Sequence, residues 1–198
     1  MVLRRDLKKQ QTRDALVDAA LRLAAERGLD HVTVEEISAE AGVSGRTFFN
    51  YFATKDDALL DERPGDVARM RRSLTELLPK MPVLPAIHRS LLIFIAAMEA
   101  DRERWVLRMR AIEKTPSLLP RLINTGAQAE LETARLIADH LGVDAAGYPA
   151  LVVGVTGAAF RVALIRWATA PDGALSLGAL VDEAFTSLAQ GLRDPGRP

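Results

Sequence analysis

TVEEISAEAGVSGRTFFNYFATK, Thr33 to Lys55, holds two helix starts, one turn and two aromatic anchors. Thr33 and Glu36 have the spacing of a capping box, in which hydroxyl and carboxylate each satisfy a backbone N–H left open at a helix start. Val32 before the cap and Ile37 at the fourth helical position are placed as a hydrophobic staple. Ala41-Gly42-Val43 supplies a glycine where the chain must leave that helix. Ser44 then caps a second helix, with Val43 and Phe48 placed to staple it. Two short helices joined by a tight glycine turn make a helix-turn-helix.

The outward side of the second helix follows from a turn of about 100° per residue. Phe48 and Phe52, four apart, share the buried side, and Arg46 and Asn50 fall almost opposite, flanked by Thr47 and Phe49. That edge carries a guanidinium that can pair with guanine O6/N7 and an amide that can pair with adenine N6/N7. Thr47 offers a hydroxyl and a methyl, and Lys55 just past the helix is a point charge suited to a phosphate. The competing reading is an ordinary helical hairpin, with Thr33 and Ser44 merely caps and the phenylalanines merely core. Agreement of caps, staples, turn and polar edge at one spacing favours the DNA-reading motif.

Composition narrows the class. A 198-residue chain with 48% hydrophobic and 26% charged residues can bury a real core. It has no cysteine, which removes disulfides, thiolate nucleophiles and cysteine-based zinc sites, and suits a reducing cytoplasm. The basic start, MVLRRDLKKQQ, lacks the apolar core of a secretory signal. No uninterrupted apolar run reaches about 18 residues; the nearest, Tyr148 to Ala170, is broken by Arg161 and Arg166. A soluble protein with no membrane partner is expected. Net charge is zero, so any positive surface must be local, and Arg4, Arg5, Lys8, Lys9 and Arg13 could supply it with Arg46 and Lys55. For Arg4 and Arg5 the alternative is a solvated tail.

Residues from about Thr12 to Leu60 resemble the DNA-binding domain of the TetR (tetracycline repressor) family. The resemblance rests on TRDALVDAALRLAAERG, VTVEEISAEAGVS and TFFNYFATKDDAL with its Phe-x-x-Lys spacing. It implies that Thr33, Arg46, Thr47, Asn50, Tyr51 and Lys55 face double-stranded operator DNA, Thr33 and Lys55 on the backbone. Ser44 and Gly45, which open the second helix, complete the candidate set. The chain departs from the family at Phe49, where a phosphate-donating tyrosine is common, and keeps a donor at Tyr51.

Around this motif the reading is all-α: a three-helix DNA-binding domain over residues 1–54 and a larger helical ligand-sensing and dimerisation domain over 55–198. The first helix runs from about Leu7 to Arg27, with Leu16, Ala19, Ala20 and Leu23 on one stripe and Gly28 as its stop. A fourth starts near Lys55, favoured by Asp56 and Asp57, and Arg63-Pro64-Gly65-Asp66 should break it before a segment to Leu78. This connection is where a signal could reach the reading head. After the proline-rich stretch Pro79 to Pro85, helices are predicted over Leu84–Ala100, from Asp101 through Lys114, from Pro116 to Leu141, over Tyr148–Ala170 and over about Leu175–Leu192. No strand signal, repeat or metal-ligand spacing appears, and no cofactor is expected.

Gly154, Gly157, Ala158 and Ala159 keep one helix slim, which suggests a close neighbour. The last helix offers an apolar face of Leu177, Leu180, Val181, Ala184, Phe185 and Leu188. Together they would form an intermolecular four-helix bundle, and the resemblance implies the same homodimer; packing inside one subunit is the alternative. Phe94, Met98, Trp105 and Met109 are candidate ligand contacts, against plain core. Arg161 interrupts an apolar run and needs Glu130 or Glu132, an anionic ligand, or an exit to solvent. His31, His88 and His140 are scattered. With no catalytic spacing, an enzyme is not expected. The leading reading is a ligand-responsive transcriptional regulator, most often a repressor in this family, released from DNA by a small inducer; an all-α carrier or enzyme for an apolar molecule is the competitor.

Overall fold

The computed structural model describes residues 2–61, 64–171 and 173–193. The side chains of Arg4 and Arg5, and Arg63 at the expected break, lie outside the described residues. Among those described there is no strand. The helices are α1 (Val2–Arg27), α2 (Val34–Glu40), α3 (Gly45–Phe49), α4 (Lys55–Leu59), α5 (Pro64–Leu77), α6 (Val83–Glu99), α7 (Arg102–Glu113), α8 (Leu119–Leu141), α9 (Tyr148–Thr169) and α10 (Leu177–Ala189). Short 3₁₀ turns at Leu29–His31 and Pro116–Leu118 precede α2 and α8.

Local chemistry sets these boundaries. The Thr33–Glu36 capping box forms: the Glu36 N–H donates to Thr33 Oγ1 at 3.2 Å and the Thr33 N–H to Glu36 Oε2 at 2.8 Å. Ser44 accepts the Thr47 N–H, and Gly42 takes the left-handed conformation (φ 68°) that the turn requires. Thr54 and Asp57 make a second capping box at α4. Gly28 ends α1 at φ 81°, where a Cβ would lie 2.8 Å from the Lys114 carbonyl oxygen, so only glycine admits that approach. The expected break holds, with α4 and α5 as separate pieces.

The chain divides into two compact units, Met1–Glu62 with Arg102–Ile123, and Arg63–Asp101 with Asn124–Pro198. The expected division after residue 54 stops short of the first unit's core. Leu16, Leu21, Ile37 and Phe48 share that core with Ala58 and Leu59 of α4 and with Ala111 and Leu118 near α7. Polar ties reinforce it. Arg108, buried on α7, donates to the carbonyls of Leu59 (3.1 Å) and Asp61 (2.7 Å), and buried Arg104 lies within 3.5 Å of Asp14 and Asp18.

In the second unit α6 packs on α5 and α10, and α10 on α9. Leu177, Leu180, Val181 and Phe185 are buried there, so the α10 face expected to meet a second subunit is used within the first. α6 supplies an apolar flank for that face that spacing along α10 could not reveal. Glu99 of α6 ties the α10 start, accepting from Ser176 Oγ (3.0 Å) and the Gly178 N–H (3.2 Å). α9 is long and apolar enough to cross a membrane by length and composition. Val152, Val153, Ala163 and Trp167 on it are buried, whereas Leu151, Val155, Val162 and Ile165 are exposed. A close neighbour at its small residues is found at Gly157, where a Cβ would lie 2.9 Å from Glu130 Oε1, but Gly154 faces open space.

Candidate nucleic-acid interface

Phe48 anchors α3: it is fully buried, with the Phe52 ring 5.7 Å away and the Phe49 ring edge-on at 5.5 Å. The helix is short, and Asn50 is its C-terminal cap, still in right-handed helical conformation. Arg46, Phe49 and Asn50 are exposed, and Thr47 and Tyr51 half-buried. The edge read from the spacing therefore faces solvent, opposite its aromatic anchor. Thr33 and Ser44 are exposed and Gly45 half-buried. The Ser44 and Thr47 hydroxyls share a hydrogen bond of 2.9 Å.

Two cations sit differently from expectation. Lys55 Nζ donates to the carbonyls of Leu29 (2.8 Å) and Val32 (2.9 Å), closing the 3₁₀ turn before α2 onto the start of α4. Arg13 makes a two-pronged pair with Asp61 (2.8 and 2.7 Å) and lies over the Phe52 ring at 4.6 Å. The hydrogen bond to Asp61 raises its pKa still further. Its charge is thus spent inside the unit instead of on a ligand surface.

The remaining basic residues named beside it, Lys8 and Lys9, are exposed. With Asp6 and Thr12 of α1, and Thr47, Asn50 and Tyr51, they line a cleft of about 690 Å³. The Glu36 carboxyl is held down to about 2 by the Thr33 N–H, the Arg27 guanidinium at 2.6 Å and the Thr33 hydroxyl. Arg121 pairs with Asp57 and reaches Thr54 Oγ1 at 3.3 Å, fixing α4 from the start of α8. Sequence reading missed Arg104, Arg108, Arg121 and Thr115, whose partners lie tens of residues away.

The ligand candidates separate. Phe94 and Met98 lie on α6 in the second unit, Phe94 with its ring 6.5 Å from Phe160; Trp105 and Met109 belong to α7 in the first. Arg161 is exposed, so its charge needs no buried partner, and Glu132 pairs with Arg71 at 2.8 Å. A second cleft, of about 700 Å³, is lined in part by Arg71, Leu78, Arg135, Leu136 and His140, none of them among the expected contacts.

A stapled helix pair presenting a guanidinium and a carboxamide on an all-α scaffold defines a helix-turn-helix DNA-binding protein. Residues 16–62 match the model of bacterial regulatory proteins of the tetR family, and residues 81–193 match the MftR C-terminal domain. The chain is 30% identical to the HTH-type transcriptional regulator TcmR of Streptomyces glaucescens, over 93% of this chain and 85% of that protein. Its fold is similar to that of the TetR-family repressor FadR from Thermus thermophilus, solved with lauroyl-CoA (TM-score 0.52, 22% identity, 94% and 98% of the two chains). It is also similar to the TetR-family regulator PfmR from the same species (TM-score 0.53, 18% identity, 90% and 99%). The chain belongs to the TetR family of transcriptional regulators.

Proposed function

We propose that this regulator binds a pseudo-palindromic operator as a homodimer, represses from it, and is released by a small apolar or amphipathic effector. The observation that carries the reading is the exposure of Arg46, Phe49 and Asn50 on a helix held by buried Phe48 and Phe52. Arg46 and Asn50 read base edges, Thr47 and Tyr51 offer hydroxyl donors, Thr33, Ser44 and Gly45 lie along the duplex backbone, and Phe49 packs on sugar or a thymine methyl. Lys55 serves first as an internal tie and places its charge beside the same backbone. Two heads on one two-fold axis would meet major grooves about 34 to 36 Å apart.

The exposed α9 stripe supports the dimer, because an apolar row of that length needs a cover. The second unit is proposed as the sensor, with Phe94 and Met98 as ligand contacts; effector and operator would then weaken each other equally. Lauroyl-CoA, the ligand in the FadR structure, is a fitting first probe. The protein acts in the cytoplasm, without catalysis. The test is a gel shift on DNA flanking its own gene, with Asn50→Ala beside the parent. Loss of about 1 to 3 kcal/mol concentrated at one base position is expected; equal loss on every sequence would reject base reading by Asn50.

A further inference from the structure

We infer that the cleft between residues 6–12 of α1 and the end of α3 is a seat for a DNA phosphodiester, gripped by Lys8 and Lys9 and opposed by Asp6. This rests on the regulator reading above and adds a contact surface beyond the reading helix.

The register of α1 aims these lysines. Residues 8, 9, 12, 16, 19, 20 and 23 recur at helical spacing and fall on one face. On that face Leu16, Ala19 and Ala20 are fully buried in the core of the first unit. Followed back toward the start of the helix, the same face carries Thr12, Lys9 and Lys8, with Thr12 Oγ1 donating to the Lys8 carbonyl at 3.0 Å. The lysines therefore stand on the side of α1 that faces the reading head. An exposed helix edge pointing away would have no such reason to share a cleft with α3.

Charge accounting points the same way. Arg13 is committed to Asp61 and Phe52, and Lys55 to two main-chain carbonyls, so two cations suited by sequence to phosphate are occupied. Lys8 and Lys9 are exposed, and the same cleft is lined by Thr47, whose hydroxyl shares a hydrogen bond with Ser44, and by Asn50 and Tyr51. Two lysines lining one cleft with residues that carry hydroxyl and amide donors match a phosphate monoanion. A cleft of about 690 Å³ has room for a sugar-phosphate segment, not only one phosphate. Asp6, in the same lining, is a like charge to that ligand and must weaken it.

The test uses the full chain and a duplex selected by it from random DNA, with affinity measured from about 50 to 200 mM salt. Each lysine that neutralises a phosphate contributes about 0.9 to the slope of log affinity against log salt. Lys8→Ala with Lys9→Ala should therefore lower the slope by about 1.8 per head, with base preference and melting temperature unchanged. Asp6→Asn should bind several-fold tighter at low salt with the same base preference. A slope equal to that of the parent in the double variant overturns the phosphate seat, as does an Asp6→Asn variant no tighter than the parent. Failure to enrich any duplex would instead sink the regulator reading, and this inference with it.

Discussion

The Lys55 ammonium donates to the Leu29 carbonyl at 2.8 Å, joining the first residue of α4 to the turn that launches α2. A second bond, to Val32 at 2.9 Å, holds the residue just before the Thr33 cap. A side chain that looks like a phosphate ligand in the sequence thus also fixes the angle at which the reading pair leaves α1.

Lys55→Met keeps the aliphatic stem and removes both charged hydrogen bonds. Bonds to charged groups contribute about 1.5 to 3 kcal/mol, and this part-buried site belongs at the lower end. Denaturant unfolding should show that loss, and operator affinity should fall on all sequences alike. A variant as stable as the parent, but with a shallower salt slope, would return Lys55 to a purely phosphate-binding role.

The capping box predicts a pH dependence. The Glu36 carboxyl titrates at about 2 in the fold against an ordinary 4.5. Its lowered value means the stabilisation is complete above about 4.5 and fades as pH falls toward 2. Thermal unfolding followed from pH 7 to pH 2 should therefore show part of the parent's acid loss missing from Glu36→Gln, which lacks the carboxylate throughout. Parallel curves for the two proteins would mean that the box carries no charge-dependent stability.

How much of this was legible depended on distance along the chain. Thr33 with Glu36, and Val32 with Ile37, are three and five residues apart, so spacing alone revealed them. The outward edge of α3 followed from its period, since Phe48 had to go in and Asn50 then had to come out. Arg108 was invisible for the opposite reason. In RERWVLRMR it reads as a solvated residue, yet it is buried because the Leu59 and Asp61 carbonyls, 49 and 47 residues earlier, accept its donors. The division after residue 54 fell short on the same account, as α7 returns to the core of α1 from far down the chain.

Thr115 tests that return directly. It is fully buried, and its Oγ1 accepts the Leu29 N–H at 2.8 Å from 86 residues away. Thr115→Val is nearly isosteric but leaves a buried N–H without an acceptor, at a cost of about 1 to 3 kcal/mol. Thr115→Ser keeps the acceptor and loses one methyl, about 0.8 kcal/mol. Unfolding midpoints should rank parent, serine, valine; valine at or above serine would show that this bond does not hold the segment after α7 to the head.

The proposed homodimer makes the last demand on the structure. Leu151, Val155, Val162 and Ile165 recur at helical spacing on the outer face of α9, while the apolar face of α10 is already buried against its own subunit. The apolar centre of a two-fold interface must then come chiefly from α9, each copy presenting the same stripe to the other. Val162 is 59% exposed in the subunit, so Val162→Glu should leave the subunit's own fold intact. In the dimer it would set two carboxylates near the axis, desolvated and repelling each other. Sedimentation should show a monomer with the parent's helical content, and operator binding should weaken steeply because one head holds only half a site. A Val162→Glu protein that still sediments as a dimer would place the seam on another face of the sensor unit.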